Sequence, residues 1–165
     1  MSESIKFYSV GDGYGEFSNF APFPIFLDKK KWPTSEHYFQ AQKFLDLKDR
    51  EEVRRANTPN VAARLDRDQK KKFRKDWEAI KVSVMRQALQ AKFMQHDELR
   101  QLLLSTGSAY LIEDAPNDDY WGNGGDGSGK NMLGRLLMEV REKLKGEQTA
   151  APNAGSADAS PASVS

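Results

Sequence analysis

Apolar and polar positions change period several times along the chain, and each change marks an element. Ile5 to Val10 alternates apolar with polar residues and is rich in aromatics, which predicts a short strand; Gly11, Gly13 and Gly15 then interrupt it. Pro24 to Leu27 and Lys31 to Trp32, joined by Asp28-Lys29-Lys30, read as a small hairpin. It delivers the chain to Trp32-Pro33-Thr34-Ser35-Glu36-His37-Tyr38-Phe39-Gln40-Ala41-Gln42-Lys43-Phe44, a turn feeding a short helix. Pro33 favours the helix start, and Thr34 or Ser35 is placed to cap the free N–H groups of the first turn.

From Asp49 onward the spacing becomes helical. A charged helix is predicted over Glu51 to Ala56, and another from Thr58-Pro59 through Leu65, with Thr58 as cap and Pro59 at the first position. Asp76 opens what reads as the longest helix, where Trp77, Ile80, Val84, Ala88 and Ala91 form an apolar stripe widened by Met85, Leu89 and Phe93. His96 to Leu104 turns Leu99, Leu102 and Leu103 toward a core, and Leu111 to Asp114 reads as a strand or extended edge. Met132, Leu133, Leu136, Leu137, Val140 and Leu144 make the apolar face of a closing helix. After Lys145 the composition turns to Ala, Ser, Pro, Gly and Asn, so residues 1–145 are expected to form one domain and residues 146–165 a disordered, low-complexity tail.

Charge and composition narrow the function classes. The 25 Lys and Arg nearly cancel the 24 Asp and Glu, which argues against bulk electrostatic binding to nucleic acid or membrane. A local patch remains at Lys70-Lys71-Lys72-Phe73-Arg74-Lys75, which reads either as a solvated face or as a phosphate contact. Cys is absent, removing disulfides, a thiolate nucleophile and thiolate zinc sites, and a reducing, cytoplasmic setting is expected. His37 and His96 have no paired spacing, so a His-rich metal centre or a Ser-His-Asp triad has little support. No apolar run approaches the roughly 18 residues of a membrane span.

Candidate chemistry concentrates in two regions. In the first, Glu36 falls in a first helical turn, where the dipole favours its ionised form, and at helical spacing it shares a face with Gln40 and Lys43, while Tyr38, Ala41 and Leu45 share another. This is either a solvated capped helix or a carboxylate, an amide and an ammonium aligned for work. The loop Gly15-Glu16-Phe17-Ser18-Asn19-Phe20-Ala21-Pro22 sets two Phe around a polar pair, as pocket lining or as core anchors with Asn19 capping a turn. Trp77 is either core or a platform for a flat ligand. In the second region, five glycines between Gly122 and Gly129 lead through Lys130 and Asn131 to a helix N-terminus, a geometry that cradles anions or simply connects. It fits neither a Walker A motif nor a dinucleotide fingerprint. Gly134 inside the closing helix costs about 1 kcal/mol against Ala, which points to close packing on another backbone or a ligand.

These blocks together resemble the NADAR family, in particular its YbiA-like branch: Gly15 to Phe20, Trp32 to Phe44, Val84-Met85 to Lys92-Phe93, and Asp118 to Gly122 through Asn131 and Leu133-Gly134. The resemblance spans roughly residues 5 to 144, and several spaced blocks in one order are more specific than any single motif. It implies a mainly α fold, α+β with a minor β component, in which a few short N-terminal strands pack on a helical core. It also implies an N-glycosidase that cleaves phosphoribose from the amino group of early riboflavin-pathway aminopyrimidines. The alternatives are an ADP-ribosyl-guanine glycohydrolase acting on ADP-ribosylated nucleic acid, for which the Lys70 to Lys75 run is the local hint, and a non-catalytic ADP-ribose or nucleotide-binding module. Glu36, Trp77 and Asp118 match the family's active-site positions. Breaking a ribosyl C–N bond builds positive charge on the sugar, so a carboxylate such as Glu36 stabilises it and handles the water. Asp118 then holds the ribose hydroxyls or protonates the leaving amine, and Trp77 and Trp121 offer flat faces to the pyrimidine. Lys43, Lys130 and the N–H groups from Gly122 to Asn131 are the expected phosphate contacts, with Asn19 as an orienting amide. The chemistry needs no metal and no cofactor.

Overall fold

Thr34 caps the helix on which the structure is built. Its hydroxyl accepts the N–H of His37, and helix α1 runs Ser35–Ala41 with Pro33 just outside it. In this computed structural model, which describes residues 3–67 and 71–155, all seven residues of α1 are buried, the polar ones included. A polar helix buried all round must find partners elsewhere in the chain. It does so: His37 meets Thr34 Oγ1 at 2.8 Å and the Ala56 carbonyl at 3.0 Å, and Ser35 donates to Asn19 Oδ1 at 2.6 Å. Tyr38 donates to Asp28 Oδ2 at 2.8 Å.

Around α1 the protein is mainly helical with short strands. Strand β1 is Ser4–Phe7, β2 Ile25–Leu27, β3 Lys30–Trp32, and β4 Tyr110–Glu113. Helices α2 (Leu47–Arg54), α3 (Pro59–Arg64), α4 (Trp77–Gln95), α5 (Asp97–Ser105) and α6 (Met132–Gly155) complete the described elements, with 3-10 turns at Gly15–Phe17 and Leu65–Arg67. β1 and β4 pair in parallel, Ser4 opposite Tyr110 and Phe7 opposite Glu113, so the start of the chain is joined to a strand from its last third. β2 and β3 form an antiparallel hairpin whose two-residue turn, Asp28-Lys29, has both residues at positive φ, the twist that a tight hairpin requires. The turn is one residue shorter than the pattern predicts, because Lys30 pairs with Leu27.

Helix α4 carries the core. Trp77, Val84, Met85, Ala88, Leu89, Ala91 and Phe93 are buried as the stripe predicts, while Ile80 is half-buried, and α4 packs against α1, α5, α6 and β2. α3 begins as predicted, with Thr58 accepting the Val61 N–H and Pro59 at its first turn. α2 starts earlier than the charge pattern suggests because Asp46 caps it, accepting the Lys48 N–H. β1 ends at Phe7 and not at Val10: the chain turns there, leaving Tyr8 and Val10 exposed. At 24 residues α6 is longer than α4, with 19, and it continues past Lys145 to Gly155; the remainder of the expected tail, residues 156–165, lies outside the described residues. Lys70 of the basic run also lies outside them. Of that run, Lys71 pairs with Glu52 at 2.5 Å, Arg74 with Asp76 at 2.7 Å, and Phe73 packs edge-on against Phe44. Among the described residues, no helix is long and apolar enough to cross a membrane.

Candidate active site

One cavity of about 290 Å³ gathers side chains from four separate parts of the chain. Asn19 and Phe20 come from the aromatic loop, Glu36, Phe39, Gln40 and Lys43 from α1 and the turn beyond it, Met85 from α4, and Glu113, Asp118 and Trp121 from β4 and the segment after it. Of the residues singled out in the sequence, Asn19, Glu36, Lys43, Asp118 and Trp121 are thus brought together. Lys43 reaches the cavity although α1 stops at Ala41, and Leu45, past the helix end, is exposed and does not share the face of Tyr38 and Ala41.

The electrostatics follow from burial. Glu36 accepts a hydrogen bond from Gln40 Nε2 at 2.7 Å, and removal from water pushes its carboxyl above the ordinary range, with Gln40 and the Lys43 ammonium pulling the other way. With Nε2 committed to Glu36, the Gln40 amide oxygen is buried and has no hydrogen-bond partner among the described residues, an acceptor suited to a ligand hydroxyl. Lys43 is itself held by Asp66 at 3.0 Å. Asp118 is fixed by its own backbone: its Oδ1 accepts the N–H groups of Tyr120 at 3.0 Å and Trp121 at 2.8 Å. Asn19, braced by Ser35, directs its Nδ2 to Met85 Sδ at 3.3 Å.

The other predicted residues lie elsewhere. Trp77 is 7% exposed and does not line the cavity; it meets Phe39 edge-on at 5.1 Å, and Phe39 meets Trp121 at 5.3 Å, so Trp77 supports the wall from behind. Lys130 and Asn131 line a different hollow, and Gly122 lines neither. The physical reason is that the loop spends its N–H groups on its own carbonyls. Asn131 donates to Gly122 O, Met132 to Tyr120 O and Leu133 to Trp121 O, so these three N–H groups at the start of α6 are already taken. Gly122 is small because a Cβ there would meet Ala115 at 2.7 Å. The Asn131 side chain runs along the free edge of β4, accepting the Glu113 N–H and donating to the Leu111 carbonyl, both at 2.9 Å. Gly134 does pack on a backbone: a Cβ there would lie 2.1 Å from the Leu111 carbonyl oxygen.

Glu113 is the residue that sequence reasoning missed. Desolvation, reinforced by Asp118 and Glu36, raises its carboxyl to about 7. A signal was present, since Leu111 and Glu113 are two apart on a strand and so share a face, and Leu111 is fully buried. Among the described residues that line it, the cavity therefore holds three carboxyl groups and one ammonium, that of Lys43. That balance favours a bound species that becomes positively charged, and two of the three acids are shifted toward the range in which protons move near neutrality.

Comparison with known proteins is consistent across sequence and structure. The NADAR domain matches residues 6–145. The chain is 64% identical over 140 residues to the N-glycosidase YbiA of Escherichia coli, covering 85% of this chain and 88% of that protein. It is 45% identical over 145 residues to a riboflavin biosynthesis protein of Vibrio vulnificus, covering 88% of this chain and 40% of that longer protein. The NMR structure of E. coli YbiA superposes with a TM-score of 0.83 at 61% identity, covering 90% of this chain and 89% of the other.

Proposed function

The chain belongs to the NADAR domain family and is a hydrolase of the N-glycosidase class, and on that premise we propose that the bond it breaks joins phosphoribose to the amino group of an early riboflavin-pathway aminopyrimidine. The observation that carries this reading is the meeting of Glu36 and Asp118, from distant parts of the chain, in one cavity that also holds Lys43 and Trp121. As the C1′–N bond stretches, positive charge grows on the sugar, and a cavity with an excess of carboxylates stabilises that charge more than it stabilises the uncharged sugar ring of the substrate. Glu36, at the helix entrance and shifted upward by burial, stabilises the cationic sugar and takes a proton from the attacking water. Asp118, locked by two N–H groups, holds the ribose hydroxyls together with the unpartnered Gln40 oxygen. Lys43 is the contact for the phosphate, and Trp121 is a flat apolar wall for the sugar. The riboflavin assignment draws on the relative from Vibrio vulnificus, whose name places it in that pathway.

The test is incubation of the purified protein with the ribosylaminopyrimidine phosphate and detection of ribose 5-phosphate. Release is expected from the wild type, and Glu36→Gln and Asp118→Asn should each slow it by about 100-fold or more. No release, or release undiminished in both variants, overturns the reading.

A further inference from the structure

A second cavity, of about 310 Å³, adjoins the first, and Phe20 and Glu113 line both. Tyr8, Ser9, Val10, Ser18 and Asn60 make up the rest of its wall. The first cavity alone is at the lower limit of what a small-molecule site occupies, whereas the substrate of the reading above has two parts, a phosphosugar and a base. The charges say which part goes where. The first cavity has the Lys43 ammonium; among the described residues the second has no cationic side chain in its wall, so it offers a phosphate no counter-charge. What it does offer is the rings of Phe20 and Tyr8, two serine hydroxyls and the Asn60 amide, the set that binds a flat, uncharged, hydrogen-bonding ring.

We propose that the second chamber is the subsite for the leaving aminopyrimidine and that Glu113, at the junction of the two chambers, is the catalytic acid that protonates the departing nitrogen. This rests on the N-glycosidase reading with a ribosylaminopyrimidine substrate. The step balances as follows: the C1′–N bond breaks with its electron pair passing to nitrogen, and nitrogen takes the Glu113 proton. Water gives its oxygen to C1′ and its proton to Glu36, so one water is consumed and a sugar hydroxyl and a free amine are formed. Exchange with solvent then returns the proton from Glu36 and recharges Glu113. Glu36 of α1 and Asp118 of the loop face Glu113, and both disfavour its ionisation, while Lys43 lines the same first cavity. The wall between the chambers is held in place from below: Lys92, fully buried on α4, donates to the Ser18 carbonyl at 2.8 Å, and the Ser18 hydroxyl accepts the Phe20 N–H at 3.1 Å.

Two variants test the proposal on the full chain. Asn60 is exposed, so Asn60→Trp fills the mouth of the second chamber without disturbing the core. It should weaken competitive inhibition by the free aminopyrimidine about tenfold or more and leave inhibition by ribose 5-phosphate unchanged. Glu113→Gln, an isostere, should lower kcat by about 100-fold and remove the fall in kcat/KM expected of the wild type above pH 7. Unchanged aminopyrimidine inhibition in Asn60→Trp overturns the subsite, and an alkaline limb that survives in Glu113→Gln overturns the proton donor. Absence of any turnover by the wild type instead removes the substrate reading, and the ligand of the subsite with it.

Discussion

Asn131 offers a sharp test because its two readings predict opposite outcomes. As a substrate contact it would affect binding; as the bracket on β4 it affects stability. Replacing it with Ala leaves the Glu113 N–H and the Leu111 carbonyl unpaired in a buried setting, which costs about 1 to 3 kcal/mol for each group. The residue also sits at φ 54°, a left-handed conformation that Asn tolerates and Ala adopts at a cost of about 1 to 2 kcal/mol. The combined loss of about 3 to 8 kcal/mol should lower the melting temperature by roughly 10 °C or more for a domain of this size. Asn131→Gly, which removes the same hydrogen bonds without the backbone cost, should be destabilised less. The assay is thermal unfolding by circular dichroism for all three proteins, with KM measured well below each transition. An Asn131→Ala protein that melts within about 2 °C of the wild type but shows a tenfold higher KM would refute the reasoning.

Two further predictions concern the same scaffold. Burial lowers the Lys92 ammonium to about 7 from its ordinary 10.5, so between those values the unfolded chain holds more protons than the folded one and stability rises with pH by a few kcal/mol. Denaturant titrations from pH 6 to 10 should show that rise in the wild type and not in Lys92→Met; an equal slope in both would show that Lys92 is not its source. Gly134→Ala should gain about 1 kcal/mol of helix propensity and lose more than that to the clash with the Leu111 carbonyl, giving a net fall in melting temperature. A net rise would mean that α6 can move off β4 at little cost.

The features legible in the sequence were those set by local chemistry. Thr34 and Thr58 cap their helices through N–H groups three residues on, and the α4 stripe is buried where its spacing says it should be. The tight hairpin turn was less legible, because Asp28 and Lys29 take positive φ without a glycine to announce it. Glu36 could be recognised as a capable group, but its burial depends on partners 10 to 20 residues away or more: Asn19 beside Ser35, Ala56 beside His37, Asp28 beside Tyr38.

The glycine-rich segment makes the converse case. Composition and an adjoining helix N-terminus pointed to an anion site, since free N–H groups at a helix start attract negative charge. Those groups are free only if nothing in the chain reaches them first, and here Tyr120, Trp121 and Gly122 reach them through their carbonyls. The glycines let the loop fold back on β4, as the contact of Gly122 with Ala115 requires, and the same fold-back presents Asp118 and Trp121 to the cavity at Glu36. The segment therefore brings Asp118 and Trp121 to the cavity, while its amides from Asn131 to Leu133 are bonded to its own carbonyls. In the cavity described, the ammonium that the proposed function assigns to the phosphate is that of Lys43, anchored by Asp66 at 3.0 Å.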